Sequence, residues 1–164
     1  MNRHDEEKKA MELAAVDIFL ELHNLNYKRQ MELLHMQERP DAVLRDTSGG
    51  LLGMEVTHLF YDNEEARQLM GNSRQVLPGS EQLEHFVQEI NRRIRIKEEK
   101  LRDYSHDYPC ALLIRNVSTM YGMSDVLRKK QLLHKPGGHF THVWLLSRDF
   151  TPDWLLKNLY EVGP

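Results

Sequence analysis

The stretch Arg39-Pro40-Asp41-Ala42-Val43-Leu44-Arg45-Asp46, followed by Thr47-Ser48-Gly49-Gly50 and then Leu52-Gly53-Met54-Glu55-Val56-Thr57, decides how this chain is read. Two apolar, β-rich runs flank a Gly-Gly turn, and glycine tolerates the positive φ that tight hairpins demand. The spacing predicts two antiparallel strands, with Asp41 opening the first. Side chains alternate along the second strand, so Glu55 and Thr57 share one face while Met54, Val56 and His58 take the other. A carboxylate flanked by Met54 and Val56 is expensive to bury without a partner. Glu55 therefore calls for an explanation.

Working outward, the N-terminal side reads as helical over residues 5–37, in two pieces. In the first, Leu13, Val16, Phe19, Leu20 and His23 recur at helix spacing, with Glu12 one turn before Val16. The second, Tyr27 to about Gln37, carries Met31, Leu34 and His35 and is stopped by Pro40. Beyond the hairpin, a polar segment from Asp62 to Gly79 holds a short helical piece, Glu64 to Met70, and contains the breaker Pro78-Gly79. A long helix is predicted from Ser80 to about Tyr104, with the apolar stripe Leu83, Phe86, Val87, Ile90, Ile94, Leu101 and Tyr104. That stripe demands an apolar residue at position 97 and finds Lys97. This is a second anomaly.

Cys110 to Ile114 and His142 to Ser147 read as buried strands, apolar on both faces. Ser124 to about Leu133 reads as a short basic helix, and Pro152 to Tyr160 as a closing helix. The expected fold is α/β: a three-layer α/β/α core over residues 38–160, its mixed sheet flanked by helices. At 164 residues a single domain over 1–164 is expected.

Composition narrows the function classes. A formal net charge of -3 provides no global positive field, so any contact with nucleic acid needs a local basic patch. Arg92, Arg93, Arg95, Lys97, Lys100 and Arg102 supply one on the long helix, with Glu98 and Glu99 interleaved. Such contacts position a phosphate backbone without reading sequence. The one cysteine, Cys110, lies in an apolar run and reads as a packed core thiol. His134, His139 and His142 lack specific metal spacing. No apolar run approaches the roughly 18 residues of a membrane span. The charged N-terminus has no apolar segment of the secretory kind. A cytoplasmic protein without a membrane partner is expected.

Two carboxylates at one sheet edge are hard oxygen ligands of the sort Mg²⁺ takes, with a strand carbonyl such as that of Val56 completing the set. A lysine nearby would act through positioned charge. In these residues the chain resembles the PD-(D/E)XK nuclease superfamily, whose pattern is Pro-Asp, a spacer, then Asp/Glu-X-Lys on the next strand. The resemblance runs from about residue 10 to 160 and includes the order of elements. It implies a restriction-endonuclease-like core and a metal-dependent hydrolase cutting nucleic acid, DNA ahead of RNA. It further implies Mg²⁺ (or Mn²⁺) on Asp41, Glu55 and the Val56 carbonyl.

The motif lysine should stand at position 57, where this chain has Thr57. Superfamily members are known with that lysine on the following helix, so the resemblance and the gap in the apolar stripe both point to Lys97, with Lys100 as its substitute. The resemblance also implies that Glu12 supports the site from its helix, ahead of Glu21. Thr57, Arg93 and Lys100 are then expected on the substrate side. A homodimer is left open. The alternative reading is a catalytically inactive nuclease-fold protein acting as a binding or assembly component, which Thr57 favours.

Overall fold

The computed structural model of the protein describes residues 2–60, 79–103 and 107–160. Helix α1 (Arg3–Asn26) opens the chain, and the Asn2 side chain caps it by accepting from the Asp5 N–H at 2.8 Å. Strands β1 (Met31–Met36), β2 (Ala42–Asp46) and β3 (Leu51–Leu59) follow. Helix α2 (Gly79–Arg102) leads to β4 (Cys110–Asn116), α3 (Met123–Arg128) and a 3₁₀ turn (Lys130–Leu132), and the chain then forms β5 (Val143–Ser147) and β6 (Leu155–Asn158).

The six strands make one mixed sheet in the order β1-β2-β3-β4-β5-β6. The β3–β4–β5 core is parallel, and the remaining pairs are antiparallel. Strand alternation divides the interior. Cys110, Leu112 and Ile114 of β4 join Phe86, Ile90 and Ile94 of α2, whereas Ala111 and Leu113 join Ala15, Val16 and Phe19 of α1. Each large side chain so buried contributes roughly 1.5–3 kcal/mol. The apolar runs on both faces of β4 and β5 follow from this division.

Two expected helices are strands. Tyr27–Gln37 was expected to be helical from Met31, Leu34 and His35, yet Met31–Met36 pairs antiparallel with β2, with Arg45 and Glu32 in a cross-strand ion pair of 2.5 Å. Met, Glu and Leu favour helix locally, but the open edge of β2 offers backbone partners that a helix there would leave unsatisfied. The same holds at the other edge. The expected closing helix from Pro152 to Tyr160 gives way to β6, which takes up the free side of β5. Leu13, expected in the apolar stripe of α1, is exposed. The expected short helix at Glu64–Met70 lies outside the described residues.

The hairpin forms as the sequence predicts. Gly49 takes φ 90, and Asp46 organises the turn by accepting from the Ser48 hydroxyl and the Gly50 N–H at 2.7 and 2.8 Å. The Ser48 hydroxyl, the Gly50 N–H and the Arg29 guanidinium hold the Asp46 carboxyl down to about 2, against the opposing pull of burial. Gly53 matters for a different reason. A Cβ there would lie 2.7 Å from both Pro40 Cγ and Cys110 Sγ, so only glycine lets the segment carrying Asp41 press against β3.

Candidate active site

Pairing between β2 and β3 ends at Ala42 opposite Met54. One residue earlier, the Asp41 side chain takes over from the ladder, and its Oδ2 accepts the Val56 N–H at 2.8 Å. Glu55 lies on the face of β3 that looks toward α2, since its β4 neighbour Leu112 belongs to the cluster packed on that helix. The Glu55 residue is 0% exposed, and its carboxyl hydrogen-bonds that of Asp41. Two buried acids are thus held side by side.

The gap in the α2 stripe points at them. Lys97 reaches down between the buried Ile94 and Leu101 with its side chain only 14% exposed. Its Nζ lies 3.8 Å from Asp41 Oδ2 and 3.7 Å from Glu55 Oε2. Lys100, nearly one turn on, places its Nζ 3.9 Å from Glu55 Oε1. The Lys97 stem occupies the apolar position while its ammonium meets the acid pair.

Helix α1 closes the third side. Glu12 is buried, and Lys9 connects it to the pair: Lys9 Nζ lies 3.1 Å from Glu12 Oε2 and 4.0 Å from Asp41 Oδ1. The first of these is an ion pair outside hydrogen-bonding geometry. The same ammonium donates to the Gln37 carbonyl, which ties the β1–β2 connection to α1. Lys8 sits 3.9 Å from Glu12 Oε1. Neither Lys8 nor Lys9 was anticipated from sequence. The i, i+3 and i, i+4 spacings to Glu12 were the available signal.

Other expected residues stand differently. Thr57 is buried two residues beyond Glu55 on the same strand face. Arg93 donates to Glu89 on its own helix at 3.1 Å, rather than meeting the acid pair. Val56 meets Asp41 through its N–H. His134 pairs with Glu98 at 2.9 Å while His142 stacks on Trp144, so these two histidines have different partners. Burial pushes the Cys110 thiol up to about 11, with the Glu55 charge adding to it, as for an inert core thiol.

The electrostatics follow from burial and proximity. Burial raises Glu55, the bond to Asp41 and its charge add to this, and Lys97 and Lys100 only partly oppose it, leaving Glu55 at about 7. Asp41 is also pushed up by burial, but its bond with Glu55, the Lys97 charge and the Val56 N–H outweigh that and hold it below the ordinary value. The pair's proton accordingly belongs with Glu55. Burial lowers Lys97, with the two acids opposing the shift. Among the described residues, no group of three or more His, Cys, Asp or Glu side chains is arranged to hold a metal ion. Nor is any helix among them long and apolar enough to cross a membrane.

No family model, no curated protein and no solved structure matches this chain.

Proposed function

We propose that the chain is a metal-dependent phosphodiesterase that hydrolyses a nucleic-acid backbone, DNA ahead of RNA, through a PD-(D/E)XK-type site on a restriction-endonuclease-like three-layer core. One observation carries this reading: Lys97, from a helix beginning some twenty residues after β3, brings its ammonium within 3.8 Å of Asp41 and 3.7 Å of Glu55. A structural lysine on an apolar stripe would turn its ammonium to water.

The donor set suits a hard divalent cation. Asp41 and Glu55 offer carboxylate oxygens, and Mg²⁺ takes one or two of these together with waters and phosphate oxygens. The raised Glu55 supports the fit, because Lys97 and Lys100 only partly offset burial and the Asp41 charge, and a cation on the two carboxylates would let both ionise. Asp41, Glu55 and the Val56 carbonyl would hold the ion. Bound there, it would lower the pKa of a water and neutralise charge on a scissile phosphate.

The chain's own residues do the rest. Lys97 holds a partly desolvated ammonium where an attacking water or a phosphate oxygen would lie, and Lys100 stands beside it. Lys9, fixed by Glu12 and the Gln37 carbonyl, holds the segment that carries Asp41. Glu12 acts through Lys9 in positioning that segment. The buried Thr57 hydroxyl is available to orient a water near Glu55.

The test is incubation with single- and double-stranded DNA and RNA in Mg²⁺, Mn²⁺ or EDTA. Cleavage is expected with metal and not in EDTA, reduced about 10²-fold or more in each of Asp41→Ala, Glu55→Ala and Lys97→Ala. Cleavage that survives all three changes overturns the site. No cleavage of any substrate favours the second reading, an inactive nuclease-fold binding component, for which Thr57 in the motif-lysine position speaks.

A further inference from the structure

Away from the acid pair, a cavity of about 340 Å³ opens beyond the carboxyl ends of β4 and β5. Crevices outside the carboxyl ends of parallel strands are where open α/β sheets bind ligands. Among the described residues its lining carries two arginines, Arg115 and Arg148, and no acid.

Both guanidiniums converge on one ring, with Cζ 5.4 Å (Arg115) and 4.4 Å (Arg148) from the centre of Trp154. Arg148 is fixed there by donating its Nε–H to the Pro152 carbonyl at 3.1 Å. Arg115 Nε is buried and finds no hydrogen-bond acceptor among the described residues. Burial, and then the charge of Arg148, hold the Arg115 guanidinium below its ordinary pKa. Two like charges with a buried donor between strand and ring are costly unless an anion meets them.

Neighbouring groups shape this cavity. Asn116 Nδ2 donates to the Tyr121 carbonyl and to Ser147 Oγ, each at 3.0 Å, which holds the ends of the two strands together. Phe150 adds an independent observation. It lines the cavity while 71% exposed, and it sits at φ 63, a left-handed conformation that a bulky aromatic adopts rarely and at a cost. An exposed ring held in a strained conformation at the edge of a basic cavity suits a flat ligand.

We propose that this cavity is a nucleotide site, in which Arg115 and Arg148 take the phosphate and the exposed Phe150 ring takes the base. Paired guanidiniums match phosphate oxygens, and base stacking on an aromatic is tolerant of sequence. The volume lies at the small end of ligand pockets, suited to one nucleotide. The phosphate belongs either to a free mononucleotide or to the terminal nucleotide of a strand. The site is separate from Asp41 and Glu55, and its occupancy does not require cleavage.

The test is isothermal titration calorimetry in EDTA, with inorganic phosphate, AMP, and one oligonucleotide with and without a 5′-phosphate. Wild type is compared with Arg148→Gln, an exposed position, and with Phe150→Gly, which suits the backbone there. Thermal melts of both variants verify folding. Expected are one AMP per chain, phosphate and AMP both weakened about tenfold or more by Arg148→Gln, and AMP alone weakened about tenfold by Phe150→Gly. Tighter binding of the 5′-phosphorylated oligonucleotide than of its unphosphorylated form, with AMP weaker than either, assigns the site to a strand end. AMP binding with no such preference assigns it to a free mononucleotide. Absence of phosphate and AMP binding by wild type, or equal affinities in Arg148→Gln, overturns the proposal.

Discussion

Glu55 is the residue whose chemistry and stability pull in opposite directions. Its carboxyl is raised from 4.5 to about 7, first by burial and then by Asp41. The unfolded chain releases this proton near the ordinary value, while the folded chain keeps it until about 7. Stability from the group is therefore full below pH 4.5 and is lost as pH rises through 7. Glu55→Gln keeps the neutral shape and removes the loss. We expect the variant to melt a few degrees above wild type at pH 8 in EDTA, a gain of about 1–3 kcal/mol, with the difference vanishing near pH 4. Cleavage should disappear in the same variant. A melting difference that does not change between pH 4 and 8 would show that the acids are not held against each other. Lys97 was legible from the same kind of anomaly, because a gap in a helical stripe is visible without tertiary structure. Lys9 was not. Its reach to Asp41 depends on how α1 crosses the sheet, and no local spacing encodes that.

At the scale of elements, the site exists because three separate segments meet where β2 parts from β3. Asp41 stands just before β2, Glu55 projects from β3, and Lys97 descends from α2 through the gap between Ile94 and Leu101. Gly53 sets the distance between the first two. We expect Gly53→Ala to force Pro40 and Cys110 back from contacts of 2.7 Å and to carry Asp41 with them. Overpacking of this sort costs about 1–3 kcal/mol. The loss in kcat should exceed what that destabilisation explains, measured well below the variant's Tm with substrate saturating. A variant that is destabilised but fully active would show that Pro40 does not position Asp41. The edge strands β1 and β6 have the opposite character. Their residues prefer helix locally, and only pairing with β2 and β5 makes them strands.

For the whole molecule, charge balance around the acid pair predicts a linkage. A divalent ion that binds the folded site and not the unfolded chain stabilises by about 1.4 kcal/mol at ten times its dissociation constant. Millimolar Mg²⁺ should therefore raise the Tm of wild type in a concentration-dependent manner, and leave that of Asp41→Asn unchanged. Equal shifts in both would place the ion elsewhere. This readout does not depend on having the right substrate. The hairpin, the long helix, the buried strands β4 and β5, and the two anomalies, Glu55 and Lys97, can all be read from the residue order. Each is written in short-range periodicity or in turn chemistry, where neighbouring residues settle the outcome. Long-range packing makes β1 and β6 complete a six-stranded sheet and joins Glu12 to Asp41 through Lys9. It also brings Arg115 and Arg148 to the Trp154 ring. Those outcomes rest on partners distant in the chain, whose backbone groups and charges must be satisfied wherever the fold brings them.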